Sequence, residues 1–206
     1  MLDNLPDLER ILKKALSRRG SFAEIFVERR ASTTISFEDG KLENIVTGLD
    51  IGAGLRVIHG LRSAYGYTND LSSAAMEELA SAVSLVAREG RAEVLNLARR
   101  DYPSPCPMKR PVDEVSLTEK VAVVERSDKA ARAVDRRIRQ VRVAYMDMDQ
   151  KVVVANSKGL LTGDRRRGLT FYVHVTAAKE GVLQTCLLYS SPSPRDLSTS
   201  RMPSSA

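Results

Sequence analysis

The sequence predicts an α+β protein of two similar lobes, each with a helix and mostly antiparallel β-hairpins, whose helices lie on one face of the sheet. Three observations favour this class. Segments with a helical apolar period alternate with runs of β-branched and aromatic residues. Gly-containing turn signals separate those runs in pairs. The 206 residues are 43% hydrophobic and 28% charged, which is ordinary for a soluble globular protein.

The first lobe is assigned to residues 1–95 and begins with a helix. Apolar residues recur at helical spacing over about residues 4–19, and Gly20 offers a stop. Residues that favour strands then take over from Phe22. Asp39-Gly40 predicts a tight reverse turn, because these residue types tolerate positive φ angles. The sequence therefore predicts a hairpin around this turn.

A second hairpin and a second helix complete the first lobe. Residues 51–68 form the hairpin around Gly60, and the glycines at positions 52 and 54 indicate a bulge or a close approach of another backbone segment. A phosphate-binding loop is not indicated, because such a loop precedes a helix rather than a strand. The segment Asn-Asp-Leu-Ser at residues 69–72 then supplies capping side chains for a helix to about Arg88.

A Pro-rich connector, residues 96–114, leads to the second lobe, residues 115–185. The segment Ser116-Leu-Thr-Glu119 fits a capping box, so a third helix is predicted from Ser116 to about Val134. Further strands are predicted over residues 138–146, 151–155 and 169–177. The second lobe repeats the order of elements in the first, so an internal duplication is a further hypothesis.

Residues 186–206 differ from the rest of the chain in composition. They are rich in serine and proline and carry almost no apolar pattern, which is typical of a disordered terminus. They also resemble translated adapter sequence more than a biological tail. We therefore expect this segment to be disordered and non-native.

The formal net charge of +6 favours an acidic partner, but 32 basic residues are interleaved with 26 acidic ones. This mixture favours a solvated surface over a nucleic-acid footprint. The densest basic clusters are Arg136, Arg137 and Arg139, and Arg165, Arg166 and Arg167. With Lys158 they could bind phosphates or acidic side chains. Alternatively, their charge could keep a solvated strand edge from pairing with another chain. Because no aromatic residues are interleaved for base stacking, a nucleic-acid partner is disfavoured.

We nominate no catalytic, cofactor-binding or metal-binding residue from the pattern of the sequence. His59 and His174 are far apart in predicted strands, whereas a hydrolytic metal site needs several closely placed ligands. Cys106 lies between prolines without an activating cation, and Cys186 lies at the start of the Ser-rich segment. Two cysteines in this arrangement predict neither a disulfide framework nor a metal site.

Asp147 and Asp149 lie near a predicted hairpin turn and are interpreted as turn residues, so no carboxylate pair is nominated as acid and base. No apolar run reaches the roughly 18 residues that a membrane span needs. The N-terminus also lacks the apolar region of a secretory signal. We therefore expect a cytoplasmic protein without a membrane partner.

Five segments carry a resemblance to a known family: Ala23–Arg30, Ser36–Glu43, Gly52–Val57, Ala64–Ser72 and Val154–Arg166. In this order they resemble the start of TldD/PmbA proteins, once called modulators of gyrase. The third and fourth are similar to the family's Gly-x-Gly-x-x-Val and Thr-Asn-Asp-Leu-Ser segments. The fifth is more similar to the TldD side than to the PmbA side. The resemblance spans about residues 1–185.

The resemblance implies a zinc metallopeptidase that acts on peptides or unfolded chains. It also implies a homodimer or a heterodimer with a PmbA-like subunit. The family's zinc is held by a His-Glu-x-x-x-His motif and a distant Cys, none of which can be matched to this sequence. We therefore expect this portion to bind no zinc and to be inactive alone.

The family role implied for this portion is to shape the substrate passage and the dimer surface. An exposed strand edge that pairs with an extended peptide would suit that role. Two alternatives stay open. The first is a stand-alone peptide-binding or partner-binding module without catalysis. The second, ranked lower, is a basic nucleic-acid-binding domain.

Overall fold

The fold combines three α-helices with seven strands in the residues that the structure, a computed structural model, describes: 5–18, 20–85, 97–101 and 110–190. In chain order the elements are α1 (Leu8–Ala15), β1 (Phe22–Glu38), β2 (Lys41–His59), β3 (Arg62–Thr68), α2 (Ser73–Ser84), β4 (Ala98–Asp101), a short 3-10 helix (Val112–Glu114), α3 (Leu117–Ala133), β5 (Ile138–Asn156), β6 (Leu160–Lys179) and β7 (Val182–Ser190). The predicted α+β class is confirmed. None of the helices in the described ranges combines the length and the hydropathy that crossing a bilayer requires.

The strands form one sheet in the order β3-β2-β1-β5-β6-β4, and β7 also pairs with β6. The β2–β3 and β6–β7 pairs are antiparallel, whereas β4 runs parallel to β6. β1 and β5 also run in opposite directions. Ala23, near the start of β1, accepts a backbone hydrogen bond from Ser157, whereas Asp39, just after β1, donates one to Val141. The sheet is therefore mostly antiparallel.

The chain divides into two compact units. The first is drawn from residues 1–30, 49–107 and 150–166, and the second from residues 31–48, 108–149 and 167–206. Each unit combines segments that are distant in sequence, because four long strands contribute residues to both. The two units are groups of residues that lie close together in space. They do not test the predicted domain boundaries near residues 95 and 115, which stay a prediction.

All three predicted helices are present. α1 is shorter than its apolar period indicates, whereas α3 matches its predicted range. α1 begins after Asp7, whose carboxylate accepts a hydrogen bond from the backbone N–H of Arg10. α2 begins after Ser72, whose hydroxyl accepts from the backbone N–H three residues later. α3 has the predicted capping box, in which Ser116 and Glu119 each accept a hydrogen bond from the other's backbone N–H. The caps therefore set where each helix begins.

The predicted turns are also found, but the strands on either side are longer than expected. Asp39 and Gly40 have φ angles of 49° and 76°, as a tight hairpin turn requires. Beyond this turn, β2 continues without a break through the segment where the sequence predicts two strands. β5 likewise runs continuously across the gap between its two predicted halves. Pairing with neighbouring strands therefore overrides the local breaks in propensity.

The first unit has an aliphatic core between the helices and the sheet. Buried residues alternate along β1 and β2, so one face of each strand meets α1 and α2. The largest fully buried side chains of this core are Ile11, Leu12, Ile25, Val27, Leu55, Val57 and Met76. Because the apolar residues of these strands face the helices, the opposite face of the sheet is left open.

The second unit has a smaller core that includes charged side chains. Val124 of α3 packs with Val141 and Val143 of β5. In the same strand, Asp147 and Asp149 are 7% and 4% exposed. The interpretation of these two aspartates as turn residues is wrong, because β5 continues through them and turns their side chains inward.

The predicted disorder of residues 186–206 is wrong for the first five of them. Residues 186–190 belong to β7, which continues beyond the Lys179–Gly181 turn and pairs with β6 from Val182 to Ser190. Backbone pairing with β6 supplies an order that composition does not predict. Residues 191–206 lie outside the described part of the chain, as do residues 102–109 of the connector and the predicted end of α2 after residue 85.

Candidate functional site

A cleft of about 270 Å³ opens on the exposed face of the sheet in the first unit. It is lined by residues of β1, β2, β3 and the turn that follows β3. These are Phe26, Glu28, Asp50, Ile51, Gly52, Ala53, Tyr65, Tyr67, Thr68 and Asn69. The lining includes Gly52 and Ala53 of the Gly-x-Gly segment, and Thr68 and Asn69 of the Thr-Asn-Asp-Leu-Ser segment, which carry the family resemblance.

Two glycines of β2 allow close packing on this face of the sheet. A Cβ atom at Gly54 would run into the hydroxyl of Tyr65 and lie 3.1 Å from two of its ring carbons. A Cβ atom at Gly52 would lie 3.0 Å from the carbonyl oxygen of Thr68. The predicted close approach of a backbone segment is confirmed at Gly52, whereas the close neighbour of Gly54 is a side chain. The two glycines let the tyrosine ring and the next backbone segment lie directly against β2.

Exposed aromatic rings form the walls of the cleft. Phe26 of β1 is 40% exposed, and Tyr65 and Tyr67 of β3 are 68% and 75% exposed. The alternation of β3 explains this arrangement. Ala64 packs against the core and Gly66 lies under Leu79 of α2, so the two tyrosines between and beyond them face outward. Large apolar side chains grouped on an open face are typical of a binding surface.

The ionisable side chains that line the cleft, other than the tyrosines, are two carboxylates. Glu28 accepts a hydrogen bond of 2.8 Å from the side-chain amide of Gln150. Asp50 is exposed on β2. No lysine, arginine or histidine is among the described residues that line the cleft. The cleft is therefore aromatic and acidic in a chain whose net charge is +6.

This arrangement is suited to binding a ligand. Rings and aliphatic side chains can hold an apolar group, while carboxylates can accept hydrogen bonds or face a cation. In the described ranges no three His, Cys, Asp or Glu side chains are grouped so that they could hold a metal ion. The described residues of the cleft therefore do not fit a catalytic zinc site.

A second polar cluster lies buried in the second unit. The ammonium group of Lys120 lies 2.6 Å from the carboxylate of Asp147, and these side chains are 8% and 5% exposed. The hydroxyl of Tyr145 donates a 2.6 Å hydrogen bond to the same carboxylate. Burial, and then this hydrogen bond, raise the pKa of Tyr145 well above its usual range. The cluster is closed to solvent, so we interpret it as part of the core.

Both histidines lie in strands, as predicted, but the two strands are not neighbours in the sheet. His59 ends β2 and His174 lies in β6, and β1 and β5 separate these two strands in the sheet order. Cys186 is an exposed free thiol in β7. Cys106 lies outside the described residues.

Several residues of the basic clusters form ion pairs within the chain. Arg137 pairs with Asp135 at 2.6 Å, and Arg166 pairs with Asp164 at 2.7 Å. Arg167 lies 3.4 Å from the buried carboxylate of Asp149. Lys158 lies over the ring of Phe22 at 5.7 Å. Much of the charge that favours an acidic partner is therefore balanced locally, as the interpretation of a mixed-charge surface expects.

Sequence reasoning did not nominate the aromatic walls of the cleft. One signal was available in the period of the strands: Phe26 lies between buried Ile25 and Val27, and Tyr65 and Tyr67 flank Gly66. In a strand with one buried face, an apolar residue at the alternate position must face outward. Only the tertiary structure shows that these rings enclose a common space.

Two family models match most of the chain. Residues 23–88 match PmbA/TldA metallopeptidase domain 1, and residues 110–197 match PmbA/TldA metallopeptidase central domain. The second match extends beyond residue 185 into the segment that composition predicts to be non-native, and the origin of that segment stays a prediction.

Curated relatives are similar over most of this chain but are much longer. A metalloprotease TldD homolog from Haemophilus influenzae is 20% identical over 167 residues, which are 80% of this chain and 35% of the relative. A metalloprotease from Methanocaldococcus jannaschii is 23% identical over 188 residues, which are 88% of this chain and 40% of the relative. The chain thus spans well under half the length of the relatives that it matches.

Solved structures share the fold. TldE from Thermococcus kodakarensis superposes with a TM-score of 0.70 at 16% identity, over 89% of this chain and 42% of that one. A protein from Thermotoga maritima, described as a candidate modulator of a DNA gyrase, gives a TM-score of 0.71 at 18% identity. That match covers 92% of this chain and 44% of that one.

Proposed function

The chain belongs to the PmbA/TldD metallopeptidase family, and we propose that it is the N-terminal, non-catalytic portion of a TldD-like zinc metallopeptidase. In this proposal the protein acts in the cytoplasm on peptides or unfolded chains, and this portion guides the substrate. The names of the curated relatives support a metalloprotease at the level of the family. Zinc and the cleaving residues would belong to a catalytic portion that this chain does not contain.

The observation that carries the proposal is the aromatic cleft beside a free strand edge. β3 is the last strand at its end of the sheet order, and within the described residues no strand pairs with its outer edge. An extended peptide could add to this edge through backbone hydrogen bonds, which need no particular sequence. Its outward side chains could then pack against Tyr65 and Tyr67, which belong to the same strand. Such a site would hold unfolded chains of varied sequence.

Peptide binding tests this proposal directly. We expect the 206-residue chain to bind fluorescein-labelled 12-residue peptides of mixed sequence, measured by fluorescence anisotropy. Replacing both Tyr65 and Tyr67 by alanine should weaken binding by about tenfold or more, since buried aromatic contacts contribute strongly to affinity. The matched control is Leu61→Ala, which removes a fully exposed apolar side chain from the turn of the same hairpin.

Three results distinguish the proposal from its alternatives. Equal binding by the double tyrosine variant and the wild type would show that the cleft is not the peptide site. Tighter binding to DNA than to peptides, with a steep salt dependence, would favour a nucleic-acid-binding domain instead. If the natural coding sequence stops without a His-Glu-x-x-x-His motif, the stand-alone binding module replaces the metallopeptidase.

We also propose that β7 forms the dimer surface, with a second copy of this chain or a PmbA-like subunit. Val182 and Leu183, which precede the segment predicted to be non-native, are each more than half exposed, and the nine residues of the strand carry no charge. Among the described strands, β7 pairs only with β6. Edge strands normally carry charges that prevent pairing with another chain, and β7 has none. Leu183→Lys should abolish self-association in analytical ultracentrifugation, whereas Leu61→Lys should not. A dimer that survives Leu183→Lys would place the surface elsewhere.

A further inference from the structure

We propose that the aromatic cleft selects peptide segments in which a lysine or arginine lies two residues from an aromatic or large apolar residue. This inference rests on the proposed peptide-guiding function and names the substrate class of that site. It depends on the charges and the rings that line the cleft, not on the strand edge, which alone would accept any sequence.

The charge of the cleft is opposite to that of the chain as a whole. The lining includes the carboxylates of Glu28 and Asp50 and no basic side chain among the described residues. The amide of Gln150 donates to Glu28 and holds it in place. Arg56, which lies opposite Tyr65 in the strand register, pairs with Glu24 at 3.4 Å. The carboxylates of the cleft are therefore available to a cation from outside.

The aromatic walls favour the same kind of ligand. The faces of aromatic rings attract ammonium and guanidinium groups, and they also pack against other rings and aliphatic chains. The Tyr65 ring is held against Gly54, so this wall is already in position before a ligand binds. A cation can thus meet a carboxylate and a ring together, while a neighbouring apolar side chain fills the remaining space.

The spacing of an extended peptide fits both groups into one cleft. In a strand, residues two apart point to the same side and lie about 7 Å from each other. Glu28 and Asp50 lie on β1 and β2, so across the sheet they are one or two strand spacings, about 5–10 Å, from the tyrosines of β3. Where the peptide crosses these strands, a basic residue and an aromatic residue at positions i and i+2 can therefore enter the cleft from the same side of the peptide.

Three labelled 12-residue peptides test the selection on the unmodified chain. They share a Gly-Ser background and contain one Lys-Ser-Phe, Glu-Ser-Phe or Lys-Ser-Ser segment. We expect the first to bind about tenfold more tightly than either of the others, since it alone supplies both the cation and the ring. The preference over the glutamate peptide should shrink as salt is added.

Paired variants locate the source of the selection. Replacing Glu28 by glutamine and Asp50 by asparagine should bring the lysine and glutamate peptides to within about twofold of each other. The control is Glu78→Gln, which removes an exposed carboxylate from α2 of the same unit and should leave the preference unchanged.

The outcomes separate this inference from the function on which it rests. If the wild type binds none of the three peptides, nor peptides of mixed sequence, the peptide-guiding function itself fails. If it binds all three alike, the function stands and the proposed selection is overturned. A preference for lysine that persists after both carboxylates are removed also overturns it.

Discussion

Removing the ammonium group of Lys120 should destabilise the second unit strongly, although a lysine is usually a surface residue. Its ammonium lies 2.6 Å from the carboxylate of Asp147, and less than a tenth of either side chain is exposed. In Lys120→Met the methylene chain is largely kept, but Asp147 remains as a buried charge without its cation. The hydroxyl of Tyr145 is the other donor to that carboxylate and would be retained.

The expected magnitude follows from this geometry. Breaking a buried ion pair by removing one partner typically costs about 3–5 kcal/mol of unfolding free energy. Because the Tyr145 hydrogen bond survives, we expect the lower end of this range, about 3 kcal/mol. For a chain of this size, that corresponds to a fall of about 6–12 °C in Tm. Replacing Lys120, Asp147 and Tyr145 together by Met, Leu and Phe should recover most of the loss.

The assay is thermal and urea unfolding followed by circular dichroism on the single and triple variants. The control is Lys13→Met, which removes an exposed ion pair with Glu9 and should leave the unfolding midpoint almost unchanged. The reasoning is refuted if Lys120→Met costs less than about 1 kcal/mol, because the carboxylate would then be hydrated rather than buried without its cation. It is equally refuted if the triple variant is less stable than the single one.

Two further predictions concern pH and packing. Arg110 and the capping contacts lower the pKa of Glu119 from 4.5 to about 2, so its stabilising effect is present above 4.5 and is lost as the pH falls towards 2. Between pH 4.5 and about 2, the Tm of Glu119→Gln should therefore fall less than the Tm of the wild type. An equal fall in the two proteins would contradict the stabilising role of the Glu119 carboxylate. Gly66→Ala would place a Cβ atom 2.6 Å from Leu79, and we expect a cost of about 1–3 kcal/mol in urea unfolding. Gly48→Ala, whose added atom meets only ordinary contact at 3.4 Å, is the matched control, and equal costs for the two variants would refute the packing argument.

The local signals of the sequence predicted the turns and helix starts well because their physics is local. Asp39-Gly40 adopts positive φ angles, and Ser116 and Glu119 form the capping box, since in each case the interacting groups are within three residues. Strand lengths were predicted less well. β5 runs through Asp147 and Asp149 because pairing with neighbouring strands decides where a strand ends.

The sequence by itself determined the fold class, the hairpin turns, the helix caps and the resemblance to the family, since periodicity, turn chemistry and motif order are properties of neighbouring residues. The tertiary structure decided which polar residues are buried. Lys120 and Asp128 share the buried face of α3 with Val124, although their charge alone would assign them to solvent. Asp147 of β5 reaches Lys120 only in the folded chain, whereas Arg132 pairs with Asp128 one turn along the same helix. The cleft likewise exists only in the folded sheet, because the rings of β1 and β3 are distant in sequence and line a common space only after these strands have come together.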